Sequence, residues 1–275
     1  MIRSIVEDAQ NYLGEEIEEA VISVPAYFHD EQRVAVKRAG ALAGIHVERI
    51  VNEPSAAALA SYFTANEEQN MLVFDFGGGT LDVSLVDCFD TMVEIVSVAG
   101  NNRLGGDDFD RLIAEHFLRE HGVARQQLRA QEYAVLLKQA ERCKKLLSEQ
   151  DEVVMHATVG DQLYESTYTM DRLFEESKAL LKEIRQVIGR ALKDGKMTIH
   201  DVDLVVMAGG SSKMPLIQKY IRHLFHKAPM VQGNCDELIA LGTWACVWCE
   251  REKRRDKRLY SDGYLPVFSR RCHDK

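Results

Sequence analysis

The sequence predicts a mixed α/β fold, and three observations support that prediction. Strand-like runs alternate with helical runs along most of the chain, as in proteins that pack helices against a sheet. Two apolar runs end in glycine-rich turns, "FDFGGGT" at 74–80 and "VVMAGGSS" at 205–212. The 275 residues, 46% hydrophobic and 28% charged, suit a globular chain with a sizeable core and one large or two smaller domains.

The first quarter of the chain predicts a helix followed by a β-α-β-α series. Gly44 is a typical helix-ending residue, and Pro54 lies in a first helical turn, where the missing N–H costs nothing. The elements predicted from periodicity and these signals are a helix at 4–13, a strand at 18–26, a helix at 30–44, a strand at 47–52 and a helix at 53–63.

The next stretch predicts an antiparallel meander, because three β-rich runs at 70–76, 81–89 and 91–100 are joined by brief turns. A helix at 106–121 follows. The remaining predicted elements are long helices at 130–148 and 171–194 flanking strands at 152–159 and 163–169, a buried strand at 203–208, and helices at 213–225 and 235–258.

Charge and hydropathy exclude several classes of protein. A net charge of −9 and a pI near 5.5 argue against a nucleic-acid partner, since phosphate backbones demand clustered Lys and Arg. The longest apolar stretch has 12 residues, fewer than the roughly 20 that cross a membrane, and the N-terminus lacks a secretory apolar core. We therefore expect a cytoplasmic protein without a membrane partner.

The six cysteines show no disulfide-framework spacing, which fits a reducing compartment. Cys246 and Cys249 form "CVWC", and Cys272 precedes His273, so a zinc site is an alternative. Buried, reduced thiols are favoured, because the first pair lies in an apolar helical stretch and the second in a tail.

Asp75 lies at the end of an apolar strand, where an ionised carboxylate is costly unless a cation or N–H donors compensate it. The glycines that follow allow positive φ, close approach and a converging set of N–H groups for an anion, and Thr80 adds a hydroxyl. Together they indicate a cradle for phosphate beside a carboxylate that holds hydrated Mg²⁺. A plain glycine-rich hairpin turn is the alternative on this stretch alone.

A second glycine turn, at Gly209 and Gly210, favours the phosphate interpretation. It repeats the same pattern of an apolar strand, a glycine turn and a following helix, which is typical of nucleotide sites. One such turn is weak evidence, because tight αβ connections need glycine in any case.

Six ordered stretches resemble the ATPase domain of the DnaK-type heat-shock chaperones, in the actin and sugar-kinase superfamily. They are "VISVPAYFHDEQR" at 21–33, "IVNEPSAAALA" at 50–60, "LVFDFGGGTLDVS" at 72–84, "LGGDDFD" at 104–110, "ERCKKLLS" at 141–148 and "AGGSSKMP" at 208–215. The first of them is most similar to the HscC branch. The resemblance implies an actin-like (ribonuclease-H-like) ATPase fold, ATP or ADP with Mg²⁺ as cofactors, and a J-domain co-chaperone or nucleotide-exchange factor as possible partners.

The resemblance also implies residue roles. Asp75, through water, would hold Mg²⁺, and Glu53 would position the hydrolytic water; these two and Thr80 are the candidate catalytic residues. The candidate nucleotide contacts are Gly77, Gly78, Gly79, Glu141, Lys144, Ser148, Gly209, Gly210, Ser211, Lys213 and Asp236. Pro25 and Arg33 match elements that couple nucleotide state to a partner domain, although Arg33 could equally be a solvated helix charge.

Two departures from the family pattern matter. Lys213 stands where the family usually has an arginine stacked on adenine, and an ammonium lacks a planar face. The family's first phosphate hairpin, its catalytic lysine segment and its substrate-binding domain have no counterpart in this sequence. We expect an N-terminally truncated lobe I joined to a near-complete lobe II.

The expected division is 1–66 for partial lobe I, 67–122 and 196–234 for the lobe II core, 123–195 for its helical and β subdomain, 235–258 for a helix returning to lobe I, and 259–275 for a divergent tail.

The sequence thus predicts an ATP-binding fragment of a DnaK-type chaperone whose hydrolysis is impaired in this chain. The alternative is a non-enzymatic interaction module that keeps the fold and has lost nucleotide chemistry. A sugar kinase is a third option, but "NEPSAAALA" and "LGGDDFD" do not resemble those enzymes.

Overall fold

The computed structural model describes residues 1–62, 69–89, 92–159, 162–231 and 234–255, without the side chains of Tyr62, Met92 and 247–255. Its helices are α1 (Ile2–Leu13), α2 (Asp30–Ala43), α3 (Glu53–Tyr62), α4 (Gly106–Glu120), α5 (Ala130–Leu146), α6 (Met170–Glu176), α7 (Lys178–Asp194), α8 (Pro215–Phe225) and α9 (Leu238–Arg255). Its strands are β1 (Glu19–Val24), β2 (His46–Asn52), β3 (Gln69–Phe76), β4 (Leu81–Phe89), β5 (Met92–Asn101), β6 (Glu152–Val159), β7 (Gln162–Thr169) and β8 (Leu204–Ala208).

The central sheet has the strand order β5-β4-β3-β8. Strands β3, β4 and β5 form the predicted antiparallel meander, and β8 adds to the other side of β3 in parallel. Because one face of the sheet packs on α4, α5 and α7, alternate residues such as Phe74 and Phe76 are fully buried beside Phe109 and Ile113. This apolar layer fixes the strand ends at which the candidate site lies.

A smaller unit holds the N-terminal elements. Strands β1 and β2 pair in parallel, and α3 lies between them and the central sheet, where it packs closely on α9. At the closest point of the two helices, a Cβ built on Gly242 would lie 1.8 Å from the carbonyl oxygen of Ala56. Only glycine permits this approach, which sets the position of α3.

A buried polar network joins α4 to the β7–α6 unit. Glu176 accepts hydrogen bonds from Arg119 and from the Tyr168 hydroxyl, each at 2.8 Å, and contacts His116 Nδ1 at 2.8 Å. Arg172 donates to the other ring nitrogen of His116 at 2.7 Å. This set of contacts holds the pair of strands β6 and β7 against the end of α4.

Two predicted helices differ from the structure by more than a shift of one or two residues at an end. The helix expected at 171–194 is divided at Ser177, which is fully buried and donates its hydroxyl to the Phe174 carbonyl, a local bond that competes with the helix. The last helix begins at Leu238 rather than at 235, because Asn234 and Glu237 form a turn before it. The predicted domain boundaries stay a prediction, and 63–68, 90–91, 160–161, 232–233 and the tail from 256 lie outside the described residues.

None of the described helices is both long enough and apolar enough to cross a bilayer.

We expect Gly242→Ala to destabilise the fold by about 2–3 kcal/mol, because the added methyl group meets the backbone of Ala56, which cannot move aside. Chemical denaturation monitored by circular dichroism measures this change. Gly189→Ala is the matched control: the site lies in the middle of α7 with nothing within 4 Å, so alanine there should be neutral or stabilising by about 0.5–1 kcal/mol. Equal effects of the two substitutions would contradict the close α3–α9 contact.

Candidate functional site

Three carboxylates from different elements meet in one pocket. Glu53 is the first residue of α3, Asp75 lies near the end of β3, and Asp82 lies at the start of β4. Asp75 and Asp82 are direct partners in the antiparallel register, so the β3–β4 hairpin itself brings them together. Gly100 of β5 leaves room for Asp82, since a Cβ there would lie 2.6 Å from its Oδ1.

Burial and mutual repulsion raise the pKa values of these carboxyl groups. The pKa of Glu53 rises to about 7, first because the group is buried and then because Asp75 and Asp82 are close. The pKa of Asp75 rises to about 6, first because the group is buried and then because Asp82 is close. Burial raises the pKa of Asp82. The ligand-free pocket therefore disfavours the ionised forms of these carboxyl groups, and a cation would favour them.

The donor set of this pocket suits a cation. Asp82 Oδ1 is buried without a hydrogen-bond partner, and neither Lys nor Arg is among the described residues that line the pocket. No three acidic, His or Cys side chains in the described chain are grouped closely enough to bind a metal ion directly. Mg²⁺ usually keeps several waters and takes one or two carboxylates together with phosphate oxygens, so these residues suit Mg²⁺ carried by a nucleotide.

The first glycine turn, Gly77–Thr80, rests on the start of α4. The N–H of Gly106 donates to the Gly77 carbonyl at 3.0 Å, and that of Asp107 donates to the Gly78 carbonyl at 2.8 Å. Gly105 must be glycine, because a Cβ there would lie 2.2 Å from the Gly78 oxygen. The carbonyl groups of Gly77 and Gly78 thus accept hydrogen bonds from the start of α4. Gly78, Gly79 and Thr80 are otherwise exposed.

Glycines 77–79 allow positive φ, but none of them adopts it. These glycines matter because they leave open space beside the backbone. A Cβ on Gly79 would meet nothing within 4 Å, so an anion can approach the backbone there. The N–H of Gly77 already donates to the Thr80 carbonyl at 3.0 Å. The N–H groups placed to bind phosphate are therefore those of the exposed residues Gly78, Gly79 and Thr80.

The second glycine turn lies directly against the end of β3, where the first turn begins. Gly209 has φ of 81°, and a Cβ on it would lie 2.5 Å from the Phe76 carbonyl oxygen and 2.7 Å from Asp75 Oδ1. Any side chain at this position would displace the carboxylate of Asp75. Only glycine meets both requirements, the left-handed backbone and the close approach.

Lys144 and Ser211 extend the site away from the carboxylates. The buried ammonium of Lys144 forms an ion pair with Asp110 at 2.8 Å and donates to the Gly106 carbonyl at 2.9 Å. A Cβ on Gly106 would lie 2.2 Å from Ser211 Oγ and 3.1 Å from Lys144 Nζ. The start of α4, α5 and the second glycine turn therefore meet at Gly106.

The remaining predicted contacts surround the second turn. Lys213 forms an ion pair with Asp236, and a Cβ on Gly210 would lie 2.7 Å from Asp236 Oδ1. On α5, Glu141 pairs with Lys145 at 2.7 Å, and Asp236 is close enough to Lys145 to raise the pKa of that ammonium further. Ser148, exposed, follows Lys144 by four positions, and its N–H donates to the Lys145 carbonyl.

The sequence analysis did not identify Asp82 or Lys145 as site residues. Asp82 could have been found, because it is a charged residue at a mostly buried strand and follows the turn that begins after Asp75. Lys145 gives no such signal, since an exposed lysine in an amphipathic helix is common. Lys145 pairs with Glu141 and lies within electrostatic range of Asp236.

Arg33 is not a solvated helix charge. Its guanidinium donates to the Phe28 carbonyl at 3.0 Å and to the Asn52 side-chain oxygen at 2.6 Å. These bonds tie α2 to the loop after β1 and to the residue that precedes Glu53. Arg33 thereby supports the loop of Pro25 and Tyr27, which lines the carboxylate pocket.

The zinc alternative cannot be built from the described part of the chain. Cys246 is buried in α9, whereas the side chain of Cys249 and all of Cys272 and His273 lie outside the described residues.

Comparison with known proteins gives clear similarities. The chain is 40% identical over 252 residues to chaperone protein dnaK3 of Thermosynechococcus vestitus, covering 88% of the chain and 37% of that protein. It is 41% identical over 256 residues to chaperone protein DnaK of Thermotoga neapolitana, covering 88% and 42%. It is 37% identical over 254 residues to the chloroplastic stromal 70 kDa heat shock-related protein of Pisum sativum, covering 88% and 36%. The chain therefore spans about two fifths of the length of these relatives.

The family model described as Hsp70 protein matches residues 1–252. This range contains the carboxylate pocket, both glycine turns and the residues around Asp236. The match extends over most of the chain and agrees with the resemblance carried by the six sequence stretches. The chain belongs to the Hsp70 family and is homologous to the ATPase domain of DnaK-type chaperones.

Proposed function

We propose that this chain binds ATP or ADP with Mg²⁺ at the pocket of Glu53, Asp75 and Asp82 and along the two glycine turns. The observation that carries the proposal is the uncompensated cluster of three carboxylates directly beside the turns at Gly77–Thr80 and Gly209–Gly210. Carboxylates that repel one another need a cation, and exposed glycine backbone needs an anion. A metal–nucleotide complex supplies both.

In this proposal each residue has a defined task. The backbone at Gly78 and Gly79 and the Thr80 hydroxyl bind phosphate oxygens, while Asp75 and Asp82 accept hydrogen bonds from metal-bound waters. Bound Mg²⁺ would offset charge on the phosphates. The carboxylate of Glu53 orients the water that attacks the terminal phosphorus.

The adenosine part lies toward α5 and the second turn. Glu141 and Lys144 flank the ribose, Ser211 and Gly210 border it from the other side, and Ser148 lies nearest the base. Lys213 is held by Asp236, so its ammonium is fixed at the edge of this region. A fixed ammonium gives a charge contact but no planar stacking surface for adenine.

Hydrolysis by this chain is proposed to be slow. Phosphoryl transfer depends mainly on positioning and on positive charge around the terminal phosphate. The described residues that line the carboxylate pocket include no Lys or Arg. Binding is therefore expected to be the main activity of the isolated chain.

The alternative is an interaction module that has lost nucleotide chemistry. The open space over Gly79, where a Cβ would meet nothing within 4 Å, favours binding, because packing of the fold does not by itself require glycine there. As an extension of the main proposal, we propose that this chain binds a J-domain co-chaperone or a nucleotide-exchange factor. A cytoplasmic location is also proposed, since Cys88, Cys143 and Cys235 are buried thiols.

We expect the double variant Asp75→Asn with Gly210→Val to abolish binding of Mg²⁺–ADP. The first change removes a carboxylate of the metal pocket, and the valine side chain collides with Asp236 Oδ1 and fills the ribose region. Isothermal titration calorimetry measures the affinity, with Asp194→Asn at the exposed end of α7 as the control. Affinity that stays within about twofold of the unmodified chain would refute the proposed site.

We expect Asp75→Asn to raise the thermal midpoint of the ligand-free chain by a few degrees at about pH 8 and by less at about pH 5. The folded-state pKa of Asp75, about 6, lies above its ordinary value near 4. The carboxyl group therefore contributes full stability below pH ~4, and this contribution is lost as pH rises through 6. Asparagine does not titrate, so its advantage grows with pH.

Differential scanning fluorimetry at the two pH values measures this difference. Asp194→Asn, which changes an exposed carboxylate, should leave the pH dependence of the midpoint as it is in the unmodified chain. A midpoint change for Asp75→Asn that is the same at both pH values would show that repulsion in the pocket is not its cause.

We expect the 275-residue chain to hydrolyse ATP at a rate close to the uncatalysed background. Loss of a single electrostatic contact to a developing charge commonly lowers a rate by about 10²–10³. A single-turnover assay with radiolabelled ATP measures the rate, and Glu53→Gln is the control. Fast turnover that depends on Glu53 would contradict slow hydrolysis while leaving the binding site intact.

A further inference from the structure

A second concave surface lies on the other side of α7 from the central sheet. We call it the α6–α8 groove; it has a volume of about 610 Å³ and lies between α6 and α7 on one side and α8 on the other. None of the residues assigned above to nucleotide or metal lines it. Its chemistry is therefore separate from that of the carboxylate pocket.

The floor of the groove is apolar and held in place. Leu181 and Leu216 are buried at its base, and the Tyr220 hydroxyl donates to the Leu181 carbonyl at 2.9 Å, which links α8 to α7. Phe174, on the rim, is 43% exposed. An exposed aromatic ring beside buried leucines is typical of a surface that receives an apolar side chain.

The rim of the groove is strongly basic. Lys182 and Arg185 on α7 and Lys219 on α8 line it, and none of the three has an ion-pair partner within the described ranges. Lys178 is paired with Glu175, and Asp171 is the acidic side chain among the described lining residues. Three unpaired cations around one groove stand out in a chain whose net charge is −9.

We propose that the α6–α8 groove binds an acidic peptide segment of a partner protein, with one apolar or aromatic side chain seated between Phe174, Leu181 and Leu216. Charge complementarity selects the partner: carboxylates on the peptide pair with Lys182, Arg185 and Lys219, whose positive charge also speeds encounter. The apolar floor favours a peptide over a nucleic acid, since buried leucines suit an aliphatic side chain, whereas nucleobases bind mainly by stacking on aromatic faces and the Phe174 ring already has Lys178 over it.

The groove requires little rearrangement to bind such a segment. The Tyr220 hydrogen bond already fixes its two walls relative to each other, and Lys178 lies over the Phe174 ring with its ammonium 5.7 Å from the ring centre. A preorganised surface loses less entropy on association. Because the peptide contacts only side chains of the groove, its binding should not depend on Mg²⁺–ADP.

The test uses a fluorescein-labelled synthetic peptide in which glutamates flank a central Leu-Phe pair, titrated with the complete chain by fluorescence anisotropy. We expect saturable binding that weakens as salt is raised. The double variant Lys182→Glu with Lys219→Glu should weaken it by about tenfold or more, and Phe174→Ser should weaken it by a similar factor.

Two controls separate the groove from general charge. Lys37→Glu with Lys193→Glu makes the same change in net charge at two exposed lysines outside the groove, and it should bind the peptide as the unmodified chain does. A second peptide with Ser-Ser in place of Leu-Phe should bind more weakly. Retained Mg²⁺–ADP affinity, or an unchanged circular dichroism spectrum if nucleotide binding fails, shows that each variant is folded.

Three results would overturn the proposal. The first is no saturable binding of the Leu-Phe peptide; the second is equal loss in the groove variant and in the Lys37/Lys193 control. The third is preference for a single-stranded oligonucleotide over the peptide, which would assign the groove to nucleic acid. None of these results bears on the carboxylate pocket, so failure here and failure of the nucleotide proposal are distinguishable.

Discussion

The parallel pairing of β3 with β8 is the contact on which the site depends. It sets Asp75 opposite Ala208 in register, so the two strands end together and Gly209 of the second turn lies against Asp75 and Phe76. The start of α4 then packs under the first turn, and Ser211 of the second turn meets α5 through Gly106. A shift of one residue in this register would turn Asp75 to the opposite face of the sheet and separate the two turns.

Glycine has two opposite tasks around these turns. At Gly105 and Gly209 the missing side chain lets one backbone lie against another, which leaves no freedom to move. At Gly79 the missing side chain leaves open space, which a ligand can enter. The site is thus a rigid backbone frame with open space on one side. Its carboxylates lower the stability of the ligand-free fold, and the same carboxylates give it affinity for a cation.

Most of the elements could be predicted from the sequence, because periodicity and turn residues are local signals. The meander, the close of α2 at Gly44 and both glycine turns were confirmed in this way. The division of the helix at Ser177 was not predictable, since it depends on burial of one hydroxyl. The proximity of Lys145 to Asp236 was not predictable either, because the two residues are distant in the sequence. Glycines 77–79 show the same limit, because their role is set by what packs on them and not by the positive φ that glycine allows.

The position of β8 also has a consequence for the order in which the chain acquires its site during synthesis. Strands β3, β4 and β5 are neighbours along the chain and can pair soon after they leave the ribosome, whereas Asn70 and Asp203, bonded at the start of the β3–β8 pair, are 133 positions apart. Contacts of such long range form late, because a large loop must close first. Until Ala208 has been translated, the nascent chain carries Asp75 on an open sheet edge, a surface on which chaperones and other nascent chains can act.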